Sequence, residues 1–98
     1  MDKMEYFNYL LDLVSEEMQI AKDDILGTCR KAEVVDAKWL VVYLMHERGY
    51  KTADITPLVG IARRSVDNAI SLFLDRVKFS NTDLKYAYCQ IKKRLGNN

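Results

Sequence analysis

Two adjacent arginines, Arg63 and Arg64, follow Gly60 and come just before an apolar stripe with helical spacing. A guanidinium group is planar and donates paired hydrogen bonds, which match the O6 and N7 acceptors of guanine. Asp67 and Asn68 lie one helical turn further along and face the same way. Asn can pair with adenine, and Asp either orients an arginine or contacts a cytosine amino group. We therefore predict that these four polar side chains contact DNA bases.

Residues 55–69 predict two short helices joined by a tight turn, the element that would position these groups. Its apolar residues recur at helical spacing: Ile55, Val59, Ile61, Val66 and Ala69. Gly60 stands where the first helix must end, because glycine adopts a left-handed conformation more cheaply than other residues. The layout is typical of a helix-turn-helix, which presents its second helix to the major groove. A plain helical hairpin with solvated arginines would show the same spacing.

Capping residues set the expected limits of the later helices. Thr52 is the expected N-cap of the first motif helix. Pro57 fits either a helix that begins near Thr56 or a short, kinked helix, because proline lacks an N–H donor. The second motif helix is expected from about residue 62 to 78, and residues 80–83 form a capping cluster that predicts a last helix.

Further basic and polar residues are predicted to bind the DNA backbone. A loop over residues 28–33 carries two adjacent cations, which can reach phosphates or enter the minor groove. The predicted set is Arg30, Lys31, Lys38, Lys51, Thr52 and Ser65. Such contacts supply affinity and salt dependence but little sequence information.

The distribution of charge supports a nucleic-acid partner more than its total does. The formal net charge is only +1. Residues 1–24 hold two lysines and seven acidic residues, whereas 13 of the 15 Lys and Arg residues follow them. This asymmetry places the predicted helix-turn-helix in the basic part of the chain.

The apolar periodicity predicts an all-α fold, compact and with a single core, from 98 residues. Residues 1–22 are expected to form an acidic amphipathic helix, and residues 23–98 are expected to form one compact helix-turn-helix domain. Residues 34–48 are apolar on more than one face, so this helix should be central and buried. The apolar stripe of the first helix has two open roles: to cover its own core, or to bind a second copy or another protein.

The sequence gives little support for a catalytic site, a metal site or a membrane-spanning segment. His46 has no second ligand in register, and Cys29 and Cys89 form no CxxC motif, so no metal site or disulfide is expected. Without a carboxylate pair at useful spacing or a nucleophile motif, we expect no catalytic residues, no cofactor and no small-molecule substrate. The longest apolar run has seven residues against roughly 20 for a membrane span. With no signal-peptide pattern either, the chain is expected in the cytoplasm.

Three stretches resemble the C-terminal DNA-binding domain of the DnaA-type bacterial replication initiators, with its Trp-repressor-like helix-turn-helix. They are DILG with the following Arg30-Lys31, VVDAKW at residues 34–39, and residues 55–69. The resemblance covers about residues 24–95 and implies binding to double-stranded DNA in replication initiation or transcription control. It places Arg30 on the family's minor-groove arginine and Lys38 on a phosphate contact. It also places Thr52 where the first motif helix meets the DNA backbone.

The chain also departs from that family. The family begins its recognition helix with Asp-His-Thr-Thr, whereas residues 62–65 are Ala-Arg-Arg-Ser, so the family's target sequence is not implied. Trp39 replaces a polar residue that commonly contacts phosphate. No GxxxxGK[ST] phosphate loop is present, so the ATPase part is missing and the acidic first helix takes its place. The alternative function is a protein-protein interaction module that kept the fold and lost DNA binding, which the modest net charge favours.

Overall fold

Helices account for the fold throughout the part of the chain that the computed structural model describes, residues 1–79 and 82–96. Their bounds are α1 Lys3–Met18, α2 Lys22–Leu26, α3 Ala32–Arg48, α4 Thr52–Val59, α5 Arg63–Phe79 and α6 Thr82–Arg94. The predicted all-α class is confirmed. Among the described helices, none is both long and apolar enough to cross a membrane. Ser80 and Asn81 of the predicted capping cluster lie outside the described residues.

Helix α3 lies at the centre and contacts each of the other five helices. Eight of its side chains are buried: Val34, Asp36, Ala37, Leu40, Val41, Val42, Leu44 and Met45. The β-branched run within it has strand-like composition, yet burial on several sides favours a helix, whose backbone hydrogen bonds are internal. Gly49 ends the helix in the left-handed region, at φ 112°.

Helix α1 belongs to the same core. Its buried side chains face α3 and α6: Tyr6, Phe7, Leu10, Leu11, Leu13 and Val14. Of the two roles considered for the apolar stripe, the structure shows the first, because α1 covers the core of its own chain. The exposed acidic side pairs with cations elsewhere, Asp12 with Lys22 at 2.7 Å and Glu16 with Arg94 at 3.4 Å. A partner of residues 1–22 would therefore meet this polar side, and that role stays a prediction.

A buried ion pair and an aromatic stack join α3 to α5. Asp36 is only 5% exposed, and its carboxylate accepts a hydrogen bond from Nε of Arg76. The Arg76 guanidinium also lies over the Trp39 ring, 5.1 Å from its centroid. Tyr43 stacks on Phe73 with ring centroids 4.6 Å apart. These contacts fix the rotation of α5 about its axis, and this rotation determines which side chains of α5 face solvent.

The start of α4 differs from the prediction. Thr52 is not the N-cap but the first helical residue, and Lys51 takes the cap position. The Asp54 carboxylate accepts the Lys51 backbone N–H at 3.3 Å, and the Asp54 N–H donates to the Lys51 carbonyl at 2.9 Å, so the first turn closes without a capping hydroxyl. Pro57 lies inside the helix, which therefore does not begin near Thr56. The cost is limited, because only one backbone hydrogen bond is lost and the helix ends two residues later.

Helix α6 is tied to α3 through Glu47. Its carboxylate accepts hydrogen bonds from the Tyr88 hydroxyl at 3.1 Å and from Lys92 Nζ at 3.2 Å. Burial raises the pKa of Tyr88, and the nearby Glu47 charge and hydrogen bond raise it further. The neutral phenol is therefore the form that the fold stabilises.

We expect Arg76→Met to lower the free energy of unfolding by about 2 kcal/mol, because it leaves the Asp36 carboxylate buried without its partner. Met keeps much of the aliphatic stem of Arg76 but loses the guanidinium that lies over the Trp39 ring. Urea unfolding measures the loss, and Lys78→Met on the same helix is the surface control. An equal effect from both changes would contradict a special role for the ion pair.

We also expect stability to fall as the pH rises above about 10, the ordinary phenol pKa. A raised folded-state pKa means that the unfolded chain releases the proton first, so the contribution of Tyr88 is complete below that pH. The loss from one phenol is at most about 1.4 kcal/mol per pH unit. Tyr88→Phe should flatten this slope in thermal melts between pH 9 and 11. Tyr86→Phe, on the exposed side of α6, is the control.

Candidate nucleic-acid interface

A three-residue turn, 60–62, connects α4 to α5. Gly60 adopts φ 68° and its N–H donates to the Thr56 carbonyl at 3.1 Å, which ends α4. The Ala62 carbonyl accepts the Val66 N–H at 3.1 Å and begins α5. The apolar sides of both helices are buried: Ile55, Val59, Val66, Ala69 and Phe73. The polar side of α5 is thereby turned away from the core.

Successive residues of an α-helix are rotated by about 100° around its axis. The exposed residues of α5 therefore lie along three lines that run parallel to the helix axis. Arg64 and Asn68 lie on the outermost line, opposite the buried residues. Arg63 and Asp67 lie on the side next to α4, where the Thr52 hydroxyl donates to Asp67 Oδ1 at 2.6 Å. Ser65 lies on the other side, next to the loop before α3. The four predicted base contacts therefore share one face, and all four side chains are exposed.

Both arginines extend into solvent. Within residues 1–79 and 82–96, neither Arg63 nor Arg64 has a hydrogen bond or ion pair with the protein. They also occupy the first turn of α5, where the partial positive charge of the helix disfavours cations. The first turns of the other five helices each contain an acidic residue, and that of α5 contains none. The arrangement is unfavourable for the free protein and suits an anionic ligand.

A cleft of about 360 Å³ brings three predicted backbone contacts together: Arg30, Lys38 and Ser65. The turn at Gly60 and the side of Trp39 complete its wall. Arg30 is exposed, whereas Lys38 is half-buried and donates from Nζ to the Gly27 carbonyl at 2.8 Å. Lys38 thus anchors the loop that carries Arg30, and its predicted phosphate contact is additional to this bond.

Lys31 lies apart from this cleft. It is the N-cap residue of α3 and lines a different depression together with Asp24 and Glu33. The loop therefore separates two neighbouring cations, since Arg30 lines the cleft at the α4–α5 turn and Lys31 lines the other depression. The structure gives Lys31 an acidic setting, while Arg30 faces the α4–α5 turn.

A second cleft, of about 380 Å³, lies on the α4 side of α5. It is lined by predicted contacts Lys51, Thr52 and Asp67, and also by His46 and Ser71. His46 and Ser71 were not among the predicted contacts. The spacing of Ser71, four residues after Asp67, was a usable signal, whereas nothing local in the sequence places His46 beside α5.

Possible metal ligands and cysteines were also located in the structure. In the ranges described, no group of three or more His, Cys, Asp or Glu side chains is arranged to hold a metal ion. Both cysteines are free, and they lie on different helices or loops.

We expect Arg64→Glu to raise the free energy of unfolding by about 0.5–1 kcal/mol, because it replaces a cation with an anion at the α5 N-terminus. Thermal melting at low ionic strength measures the gain, which should shrink as salt is added. Lys78→Glu, in the last turn of α5, is the opposite control and should lower stability. A loss with Arg64→Glu would mean that this arginine stabilises the free protein.

Comparison of the chain with protein-family models, with curated proteins and with solved structures finds no match. The resemblance to the DnaA-type initiators therefore stays a prediction, and the candidate interface stands on its geometry.

Proposed function

We propose that this protein binds double-stranded DNA and inserts the first turns of α5, as the second helix of a helix-turn-helix, into the major groove. One observation carries the proposal: Arg63 and Arg64 are exposed and unpaired among the described residues, at a helix end that disfavours them. DNA supplies both the phosphates and the guanine acceptors that such a pair can bind.

Under this proposal the base contacts come from α5 and the backbone contacts from its two sides. Arg64 and Asn68, on the outermost line, reach deepest into the groove. Arg30 binds the backbone from the loop-side cleft, and Lys51 binds it from the α4 side. A major groove about 12 Å wide admits one helix with phosphates on either side, which fits this division.

The biological setting is proposed from the resemblance alone. The proposed role is in replication initiation or transcription control in the cytoplasm, with duplex DNA as the partner and without a cofactor. A second copy or another protein would contact the acidic, exposed side of α1, since its apolar side is buried. This side is far more acidic than the DNA-facing side, so it would point away from the duplex.

A protein-interaction module is the second candidate, and one observation favours it. Three large apolar side chains of α5 are exposed: Leu72 at 47%, Leu74 at 53% and Phe79 at 79%. They lie in the C-terminal half of the helix, beyond the arginines. Leu72→Ser with Leu74→Ser separates the candidates, because it would weaken a protein contact and leave DNA affinity unchanged.

We expect Arg63→Ala and Arg64→Ala each to relax base preference, because each removes a base contact of about 1–3 kcal/mol. Arg30→Ala should weaken all sequences equally and lower the slope of log K against log salt by about 1. Electrophoretic mobility shift with mixed duplexes at several salt concentrations measures both effects. Lys38→Ala should also weaken all sequences, with an added loss of stability from the freed Gly27 carbonyl.

Lys85→Ala is the matched control, since this exposed lysine of α6 lies outside the candidate interface. It should leave affinity and base preference close to those of the wild type. Uniform loss from all the arginine changes would refute the division between base and backbone contacts. Absence of wild-type binding at low salt would refute the proposed function.

A further inference from the structure

The hydrogen bond between Thr52 and Asp67 restricts one of the predicted base contacts. Thr52 is the first residue of α4 and half-buried, and its hydroxyl donates to Asp67 Oδ1 at 2.6 Å. The bond joins the start of α4 to the second turn of α5. One carboxylate oxygen therefore already accepts a hydrogen bond within the protein, which restricts the orientation of the carboxylate.

The other carboxylate oxygen, Oδ2, is left for a ligand. Asp67 is exposed, and in the described part of the chain its only hydrogen-bond or ion-pair partner is Thr52. Arg63 lies one turn earlier on the same side of α5, yet no ion pair forms between them. Two roles were considered for Asp67. Among the described residues it contacts no arginine that it could orient, so the contact with a base is the role that remains.

The chemistry of the major groove selects the base. A carboxylate only accepts hydrogen bonds, so it needs a donor. Guanine O6 and thymine O4 are acceptors and would repel it, whereas the cytosine N4 amino group donates. Adenine also has a donor at N6, but its N7 acceptor lies beside it, so an amide suits adenine better.

We infer that Thr52 and Asp67 form a specificity element in which Asp67 Oδ2 accepts a hydrogen bond from a cytosine amino group. Thr52 is then a positioning residue that orients the carboxylate, in place of the backbone contact first predicted for it. This inference rests on the proposed DNA binding and adds the base preference of one position. Together with the two arginines, it predicts a G·C-rich recognition site.

The test selects binding sequences from a pool of randomised duplexes at low salt. The wild type should enrich one position in cytosine. Asp67→Asn should exchange that cytosine for adenine, because an amide donates to N7 and accepts from N6. Asp67→Ala should remove the preference, a change of about tenfold in relative affinity, the size of one base contact.

The positioning role of Thr52 is tested with one variant that lacks the hydroxyl and a second variant that keeps a hydroxyl at this position. Thr52→Val keeps the side-chain shape and should weaken the cytosine preference severalfold, whereas Thr52→Ser should restore it. Thr56→Val is the matched control, because the Thr56 hydroxyl bonds to the Thr52 carbonyl and not to Asp67. A merely structural role for Thr52 would lower thermal stability without changing the selected base.

Two outcomes overturn the inference, and they can be told apart. If Asp67→Ala strengthens binding to all sequences equally and the selected position is unchanged, Asp67 acts only by repelling phosphates. In that case DNA binding stands and this specificity element does not. If the wild type enriches no sequence and binds no duplex at low salt, the proposed function fails together with the inference.

Discussion

The contact between α3 and α5 is the constraint on which the candidate interface depends. Asp36 of α3 pairs with Arg76 of α5 where the carboxylate is almost fully buried, and Tyr43 of α3 stacks on Phe73, one turn before Arg76 on α5. A buried carboxylate without its partner is costly, so rotation of α5 about its axis would be penalised. Because the rotation is fixed at the C-terminal half, the N-terminal half must turn Arg64 and Asn68 outward.

The residues at the N-terminus of α5 make this end of the helix less stable than it could be. A helix of this amphipathic pattern would be more stable with an acidic residue in its first turn, as the other five helices have. Two arginines there repel each other and the helix dipole. Local rules that a chain breaks without an internal compensation are expected at functional sites, which is the physical basis of our proposal.

The charge asymmetry of the sequence corresponds in the fold to two different surfaces, the acidic outer side of α1 and the region around the start of α5. The acidic outer side of α1 pairs with Lys22 and with Arg94 of α6, so part of the basic C-terminal region is neutralised within the protein. The cations that remain unpaired among the described residues include Arg30, Arg63 and Arg64. A net charge of +1 therefore conceals a local group of unpaired arginines near the start of α5.

The sequence alone determined the helical class, the central position of α3, the turn at Gly60 and the exposed arginines. These features follow from local rules: apolar spacing, glycine in the left-handed region and the 3.6-residue period. The start of α4 did not follow those rules. Lys51 takes the cap position, with its N–H bonded to the Asp54 carboxylate and its carbonyl to the Asp54 N–H, and Thr52 is already helical.

Only the tertiary structure decided which predicted contacts share a surface. It placed Arg30 in one cleft with Ser65 and turned Lys31 towards Asp24 and Glu33. It also bonded Lys38 to Gly27 and Asp67 to Thr52, across 11 and 15 residues of chain. Such pairings depend on how helices pack against one another, and no periodicity within a single helix contains that information.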